Sequence, residues 1–365
     1  MNIHAGAMFL VLAALRPQEA KVPEAQRLAF PDGRLVVSGL AWFAEDSPVL
    51  RRLPARLKET FRPAVWGLAQ HPSGGRIRFR TDSLTAGIVA QSPDTSVMYH
   101  ITSVGQNGFD LYADGEYLGS AAPDGQGRIV KTWTVGRERK MRDVTLYLPL
   151  YKGVVVKEVV LEPKAKVEAP SPFALPKPVV YYGSSITQGG CASNPGLSCQ
   201  AIVSRWLNVD FVNLGFSGNG LGEPALAQAI AEIDASCYVL DYWGNPGPEA
   251  YRDTLPPFVD VLRKRHPAVP VLVVGPFYFP AESVGGGVAE AQARKREIAR
   301  EFVEKRRRDG DASISYVDGL EMLSRDQAFG LVDGVHANSL GFWFNAKGLE
   351  PHLRRALKLP AKDGK

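Results

Sequence analysis

Short stretches of alternating apolar and polar residues dominate the first half of the chain, from about residue 28 to residue 161. RIRFR at 76–80 alternates strictly, and VVVKEVVLE at 154–162 is rich in β-branched residues. Turn sequences that contain Pro, Asp and Gly separate these stretches, and no long amphipathic helix is evident. A period of two is typical of half-buried strands, and many short strands at this spacing favour a sandwich or jelly roll. We therefore predict a jelly-roll-like β-sandwich domain over residues 21–163.

A proline-rich interval follows the predicted sandwich. The sequence EPKAKVEAPSPFALPKP, residues 162–178, contains five prolines and has no hydrophobic period. Proline-rich segments are extended and semi-rigid. We predict a linker over residues 164–177, and with it a boundary between two domains.

After the linker, apolar runs alternate with amphipathic segments. The runs PVVYY, VDFVNLG, CYVLDY and VPVLVVG have the composition of strands buried on both faces, and one intervening segment carries a stripe of Leu226, Ile230 and Ile233. This alternation predicts a parallel sheet between two layers of helices, a three-layer α/β/α domain over residues 178–365. Ligands bind beyond the carboxyl ends of the strands in such sheets. We expect the chemistry of the protein there.

Residues suited to acyl transfer follow these strand candidates. Ser185 follows the first run, Gly218 the second and Asn245 the third, and near the end of the chain Asp333 precedes His336 by three residues. A serine hydroxyl needs a base to accept its proton, and histidine titrates nearest neutrality. The Asp can orient the imidazole, while the N–H groups of Ser185, Gly218 and Asn245 can stabilise an oxyanion. The pattern predicts a Ser-His-Asp triad with an oxyanion hole.

These four blocks resemble those of the GDSL-type SGNH hydrolases. That family is named for Ser, Gly, Asn and His, which occur here in order in YYGSSITQGG, NLGFSGNG, DYWGN and VDGVH, and the resemblance spans residues 178–355. In the first half, GFDLY from Gly108 resembles the GxDLY signature of a β-rich domain that precedes a subgroup of these esterases. The sequence alone leaves Ser184 as a competing nucleophile, and the family register selects Ser185.

Two positions depart from the family pattern. The usual Gly-Asp-Ser-Leu is Gly-Ser-Ser-Ile here, and Pro246 follows Asn245 where the family has Asp. The first change removes a carboxylate that catalysis does not require, and the second removes a neighbouring hydrogen bond. Gly215 competes with Gly218 as the second oxyanion donor, and the family's Ser-Gly pairing selects Gly218.

The resemblance implies a serine esterase without a cofactor or metal. A β-sandwich followed by an SGNH domain is similar to bacterial carbohydrate esterases that remove acetyl groups from polysaccharides, so we expect a short-chain ester on a small molecule or polysaccharide. A lysophospholipase or thioesterase, and a carbohydrate-binding protein with a degenerate hydrolase domain, are the alternatives. Trp243 is a candidate substrate contact, with core packing as its alternative, and residues 276–290, which contain a Gly triplet, are a candidate lid.

The distribution of charge along the chain does not indicate a nucleic-acid partner. The formal net charge is +5 and the sequence pI is about 9.0. In the most basic segment, from Arg294 to Arg308, Glu residues precede Arg or Lys by four positions. This spacing pairs charges along a solvated helix face.

The N-terminus carries an apolar stretch from Ala5 to Leu15, which is too short to span a bilayer and has the length of a signal-peptide core. We predict a signal peptide over residues 1–20 and a secreted or periplasmic protein, with a cytoplasmic protein as the alternative. No other stretch is apolar enough for membrane insertion, and the sequence does not specify an oligomeric state.

Three cysteines permit at most one intrachain disulfide. Cys191 and Cys199 lie close together in a loop-like segment and can pair if the protein is exported. Cys237 lies in an apolar run, which predicts a buried thiol. No spacing of Cys and His resembles a zinc site.

Overall fold

Two antiparallel sheets form the first half of the protein. The computed structural model describes residues 24–360. The strands of these sheets are β1 (Gln26–Ala29), β2 (Val36–Ser38), β3 (Arg76–Thr81), β4 (Thr85–Gln91), β5 (Phe109–Ala113), β6 (Glu116–Ala121), β7 (Arg128–Thr134), β8 (Arg142–Tyr147), β9 (Val155–Leu161) and β10 (Val167–Glu168). One sheet has the order β1-β9-β4-β7, and the other has the order β10-β3-β8-β5-β6 with β2 paired to β3. Three short helices lie between the strands: α1 (Phe43–Asp46), α2 (Pro63–Ala69) and α3 (Ser103–Asn107).

The two sheets enclose an apolar core to which both contribute. Ile88 and Ile129 come from the first sheet, and Phe79 and Leu146 from the second. Along β7 the residues Ile129 and Trp133 are buried and the others are exposed, because one face of the sheet meets the core and the other meets solvent. The predicted β-sandwich is confirmed.

Strand β5, which carries the GFDLY sequence, departs from this alternation. All five of its residues are buried. Phe109 and Leu111 point into the sandwich core, whereas Tyr112 packs in the core of the second half of the protein. The outer face of β5 thus packs against the second domain and does not face solvent.

A five-stranded parallel sheet forms that second domain. Its strands are β11 (Val179–Gly183), β12 (Phe211–Gly215), β13 (Cys237–Asp241), β14 (Val271–Val274) and β15 (Ile314–Val317), in the order β12-β11-β13-β14-β15. Its helices are α4 (Ser185–Gln188), α5 (Cys199–Leu207), α6 (Pro224–Ile230), α7 (Pro248–Arg265), α8 (Gly287–Arg308), α9 (Gly319–Met322) and α10 (Ser339–Ala356). Helix α5 packs on α10, and α7 packs on α6 and α8. The predicted three-layer α/β/α fold is confirmed.

The strand order brings the predicted site segments together. Strand β11 lies between β12 and β13, and Gly183 at its carboxyl end is level with Gly215 and Asp241 at the ends of its neighbours. Parallel strands present their carboxyl ends at one edge of the sheet. The segments that follow all three strands therefore meet at this edge.

A buried arginine links the first domain by hydrogen bonds to this edge of the parallel sheet. Arg52, only 1% exposed, donates to the carbonyls of Leu68 and His71 in its own domain at 2.8 and 2.7 Å. It also donates to the carbonyl of Gly215 at the end of β12, and its guanidinium lies 4.7 Å from the ring centre of Phe216. Burial lowers the pKa of Arg52, but the accepting carbonyls favour its charged form.

The interval between the domains is partly structured. Val167 and Glu168, inside the range predicted as a linker, pair with Thr81 and Arg80 of β3 and so extend a sheet of the sandwich. A strand of two residues has no hydrophobic period, which is why the sequence pattern does not indicate it.

All three cysteines are buried free thiols. The possible Cys191–Cys199 disulfide is therefore not formed: Cys199 begins α5 and both side chains pack in the core of the second domain. The predicted burial of Cys237 is confirmed, since it is 0% exposed.

The predicted signal peptide over residues 1–20 lies outside the described residues. Between residues 24 and 360, none of the helices combines the length and the hydropathy that a bilayer-spanning helix requires.

Candidate active site

Ser185 lies at the sharp turn between β11 and α4. It is the first residue of α4, and Ser184 is the N-cap, whose hydroxyl accepts a hydrogen bond from the Ile186 N–H at 3.2 Å. A Cβ at Gly183 would lie 1.8 Å from Thr187 Oγ1, so the turn requires glycine at that position. The Ser184 hydroxyl is thus used in capping, and Ser185 presents its own hydroxyl to the sheet edge.

His336 contacts that hydroxyl. Ser185 Oγ lies 2.8 Å from His336 Nε2, although the two residues are 151 positions apart in sequence. His336 Nδ1 lies 2.7 Å from Asp333 Oδ2. A carboxylate only accepts hydrogen bonds, so the ring proton lies on Nδ1 and Nε2 is left to accept from the serine. The three side chains form one continuous hydrogen-bonded chain.

A tight turn sets the position of Asp333 under the imidazole. Gly334 has a φ of +82°, and the N–H groups of Val335 and His336 donate to Asp333 Oδ1 at 3.0 and 2.8 Å. Burial alone would raise the pKa of Asp333, but these N–H groups and the imidazole outweigh it and lower the pKa to about 2. The carboxylate is therefore ionised at all ordinary pH values.

The second and third strand ends supply possible oxyanion donors. Gly218 has a φ of +67° and open space where a side chain would be. Within residues 24–360 its N–H has no hydrogen-bond partner. Asn245 Oδ1 accepts from the Gly220 N–H at 3.0 Å, which fixes the amide so that its Nδ2 is free to donate elsewhere. The Ser185 N–H, in the first turn of α4, is the third donor.

Comparison with known proteins places the chain in a family. Residues 176–354 match the GDSL-like lipase/acylhydrolase family, and residues 30–167 match GxDLY, the N-terminus of SGNH hydrolase-type esterases. A protein from Bacteroides ovatus, described as a GDSL-like lipase, has 30% sequence identity and a TM-score of 0.84, with 93% of this chain and 100% of that chain covered. The chain belongs to the GDSL-like lipase/acylhydrolase family.

Less similar members of this fold show how widely it is used. The salicylyl-acyltransferase SsfX3 from a tetracycline biosynthetic pathway has 21% identity and a TM-score of 0.78, covering 94% of this chain and 100% of its own. The acetyl xylan esterase Est2A from the rumen bacterium Butyrivibrio proteoclasticus has 12% identity and a TM-score of 0.59, covering 92% of this chain and 99% of its own. None of the curated proteins compared with the chain matches it.

Trp243 does not lie where a substrate could reach it. Its side chain is 0% exposed and packs against the rings of Phe277 and Phe279, with ring centres at 5.1 and 5.7 Å. Its indole N–H donates to Asp241 Oδ1 at 2.8 Å, which turns the ring inward. The prediction that Trp243 contacts substrate is therefore wrong, and core packing is its role.

The candidate lid at residues 276–290 is held to α8. It contains a 3₁₀ helix, Pro280–Val284, before α8 begins at Gly287. Arg296 of α8 forms a largely buried ion pair with Glu282 at 2.8 Å and donates to the Pro276 carbonyl at 2.8 Å. These bonds anchor the segment.

The first domain of this GDSL protein supports the nucleophile turn directly. Tyr151 Oη donates to the Ser185 carbonyl at 3.0 Å. Gln188 Nε2 donates to the Leu150 carbonyl at 3.0 Å, and Gln188 Oε1 accepts from the Ser217 N–H at 3.0 Å. No local pattern indicates the bonds to Tyr151 and Leu150, because these partners come from another domain.

A partly buried carboxyl lies under the same turn. Asp241 Oδ2 accepts from Thr187 Oγ1 at 2.9 Å, and its Oδ1 accepts from Trp243. Burial raises the pKa of Asp241 to about 7. Asp241 connects the nucleophile helix to the segment that carries Asn245.

The Asp of the GxDLY signature holds a loop of the second domain. Asp110 Oδ2 accepts from Asn194 Nδ2 and from the Gly196 N–H, both at 2.6 Å. A Cβ at Gly196 would lie 2.6 Å from the Tyr112 ring. The signature therefore positions the loop that begins at Gly190, where a Cβ would lie 3.5 Å from the His336 ring.

One group of side chains has the chemistry of metal ligands. His100, Cys191 and His336 each offer a ligand atom, and these atoms lie within 4.8 Å of one another. The sequence predicts no metal site, because these residues lie far apart along the chain and in different domains.

The lowered pKa of Asp333 predicts a pH-dependent contribution to stability. A carboxyl whose folded-state pKa is below its unfolded value stabilises the fold above the unfolded value, and this stabilisation is lost as the pH falls through the folded value. For Asp333 the window runs from about 4 down to about 2. Urea unfolding should show that Asp333→Asn is less stable than wild type near neutral pH and that the difference shrinks towards about pH 2.

The matched control for this measurement is Asp326→Asn, which removes an exposed carboxyl from the same region. We expect it to leave the unfolding free energy within about 0.5 kcal/mol of wild type. A stability difference between Asp333→Asn and wild type that stays constant with pH would contradict the prediction.

Proposed function

We propose that this GDSL-family protein is a serine esterase that hydrolyses short-chain esters, foremost acetyl esters of a carbohydrate. The observation that carries the proposal is the hydrogen-bonded chain from Ser185 through His336 to Asp333, at 2.8 and 2.7 Å. Such a chain activates a hydroxyl that is otherwise a weak nucleophile.

In the proposed reaction, Ser185 Oγ attacks the ester carbonyl while its proton passes to His336 Nε2. The tetrahedral oxyanion accepts hydrogen bonds from the N–H groups of Ser185 and Gly218 and from Asn245 Nδ2. His336 then gives the proton to the leaving alcohol, and an acyl-enzyme forms. A water molecule, deprotonated by His336, attacks the acyl-enzyme, and the acid leaves as the proton returns to Ser185.

An exposed aromatic residue near the hydrogen-bonded Ser185, His336 and Asp333 supports a carbohydrate as the alcohol part of the ester. Tyr99 is 90% exposed, its ring centre lies 4.5 Å from that of His100, and the His100 ring centre lies 5.5 Å from that of His336. An exposed tyrosine ring offers an apolar face on which a sugar ring can stack, and Tyr is enriched at binding interfaces. The likeness in fold to the acetyl xylan esterase Est2A agrees with an acetylated glycan.

A second candidate substrate has support from another face of the site. Val335, next to His336, is 37% exposed, and Leu340 at the start of α10 is 45% exposed. Apolar side chains at this edge suit a longer acyl chain, as a lysophospholipase or thioesterase would bind. Acyl-chain selectivity separates the two candidates.

Ser185→Ala should lower ester hydrolysis by at least about 10,000-fold, because the attacking oxygen is lost. A fluorophosphonate probe, which labels activated serines, should label wild type and should not label Ser185→Ala. The matched variant Ser184→Ala should keep the label, since that hydroxyl only caps α4. An unlabelled wild-type protein would favour the carbohydrate-binding alternative with a degenerate hydrolase domain.

Substitutions of Asn245 should distinguish the contribution of its Nδ2 donor from that of its Oδ1 acceptor. Asn245→Asp keeps an oxygen for the Gly220 N–H but removes the Nδ2 donor, whereas Asn245→Ala removes both. We expect both variants to lose about 100- to 1,000-fold in kcat with little change in KM, because the donor acts only on the oxyanion. If Asn245→Asp retained wild-type kcat, Asn245 would serve only to anchor Gly220.

A panel of synthetic esters tests the acyl group and the alcohol together. We expect acetyl esters to be hydrolysed faster than decanoyl esters, and acetylated xylan oligosaccharides to be deacetylated. Tyr99→Ala should raise KM for the acetylated sugar at least about tenfold, a loss of about 1.4 kcal/mol, and leave hydrolysis of a small acetyl ester unchanged. Faster hydrolysis of the decanoyl ester would favour the lysophospholipase or thioesterase alternative.

A further inference from the structure

Three potential metal ligands meet beside the proposed nucleophile. His100 belongs to the first domain, Cys191 follows the nucleophile helix, and His336 comes from the C-terminal part of the chain. Their ligand atoms lie within 4.8 Å of one another. Neither the proposed reaction nor the support of the nucleophile turn uses His100 or Cys191.

The local structure favours a cation at this position. Nδ1 of His100 is buried and has no hydrogen-bond partner within residues 24–360. Asp333 accepts from Nδ1 of His336, and a histidine ligand that donates its other N–H to a carboxylate is the usual arrangement around a bound metal. Cys191 is 5% exposed and has a φ of +75°, which fixes its backbone in the left-handed region.

The donor set selects the class of metal. One thiolate and two imidazoles suit Zn²⁺ or a similar thiophilic divalent ion, and three protein ligands leave a fourth position open. In a tetrahedral site with Zn–N of about 2.1 Å and Zn–S of about 2.3 Å, ligand atoms lie about 3.5 Å apart. Side-chain rotations that bring the ligand atoms about 1 Å closer together would complete the site.

We propose that His100, Cys191 and His336 bind a single Zn²⁺ ion that reversibly inhibits the esterase. Zn²⁺ takes the lone pair of His336 Nε2, so Ser185 loses the acceptor of its proton. The Cys191 thiol releases its proton to solvent as it becomes a thiolate ligand. Because one imidazole serves as base and as ligand, the ion and the reaction exclude each other. The inhibitory consequence rests on the proposed function, whereas binding of the ion does not.

Binding and inhibition are measured separately with zinc chloride on full-length protein freed of metal by a chelator. Calorimetry on Ser185→Ala, which keeps all three ligands, should give one bound Zn²⁺ per chain. Cobalt chloride should give a thiolate-to-metal absorption band that Cys191→Ser lacks. In wild type, Zn²⁺ should abolish hydrolysis of a small acetyl ester, and excess chelator should restore it.

Cys191→Ser and His100→Gln should keep the basal hydrolysis of that ester and raise the inhibiting Zn²⁺ concentration at least about tenfold, since each loses one ligand. The matched control is His352→Gln, which changes a histidine on α10 that pairs with Glu321 on α9. It should leave the basal hydrolysis and the inhibiting Zn²⁺ concentration unchanged. Equal inhibition of wild type and both ligand variants would overturn the three-ligand site, as would the absence of calorimetric binding. Stoichiometric binding that depends on Cys191, in a protein without esterase activity, would support the site and refute the proposed function.

Discussion

The turn that carries Ser185 is held by hydrogen bonds from both domains, and the rest of the site depends on this constraint. Tyr151 donates to the carbonyl of Ser185 itself, and Ser73 Oγ donates to the carbonyl of Gln188 at 2.6 Å. Buried backbone carbonyls are costly to leave unpaired. The first domain therefore fixes the direction of the nucleophile helix, which in turn sets the distance to His336.

Buried guanidinium groups extend the same interface away from the site. Arg52 fills the space beneath the end of β12, and Arg76 forms an ion pair with Asp210 and stacks on Phe211, with its guanidinium 3.9 Å from the ring centre. A buried charge is tolerated only where several acceptors surround it. This geometry requires both domains, so the interface resembles a shared core more than a contact between independent units.

Much of the fold and the site follows from the sequence because the signals are local. Buried strands appear as apolar runs, and the small or polar residue after each run marks the sheet edge, which leads to Ser185, while the Asp three residues earlier leads to His336. For Trp243 the sequence leaves substrate contact and core packing open, because a run of apolar residues does not indicate which way an aromatic ring points, and its bond to Asp241 forms only in the fold. Tyr151 gives no sequence signal, since its hydrogen bond to the Ser185 carbonyl forms between domains.

The alternation of side chains along β5 has a consequence for how such proteins diversify. Phe109 and Leu111 complete the interior of one domain, while Asp110 and Tyr112 shape a loop of the other. The two faces of this one strand thus pack against different domains. Exchange of the sandwich between homologues, by recombination or by engineering, would succeed only when the inserted strand matches the recipient's loop, so the heritable module is the pair of domains.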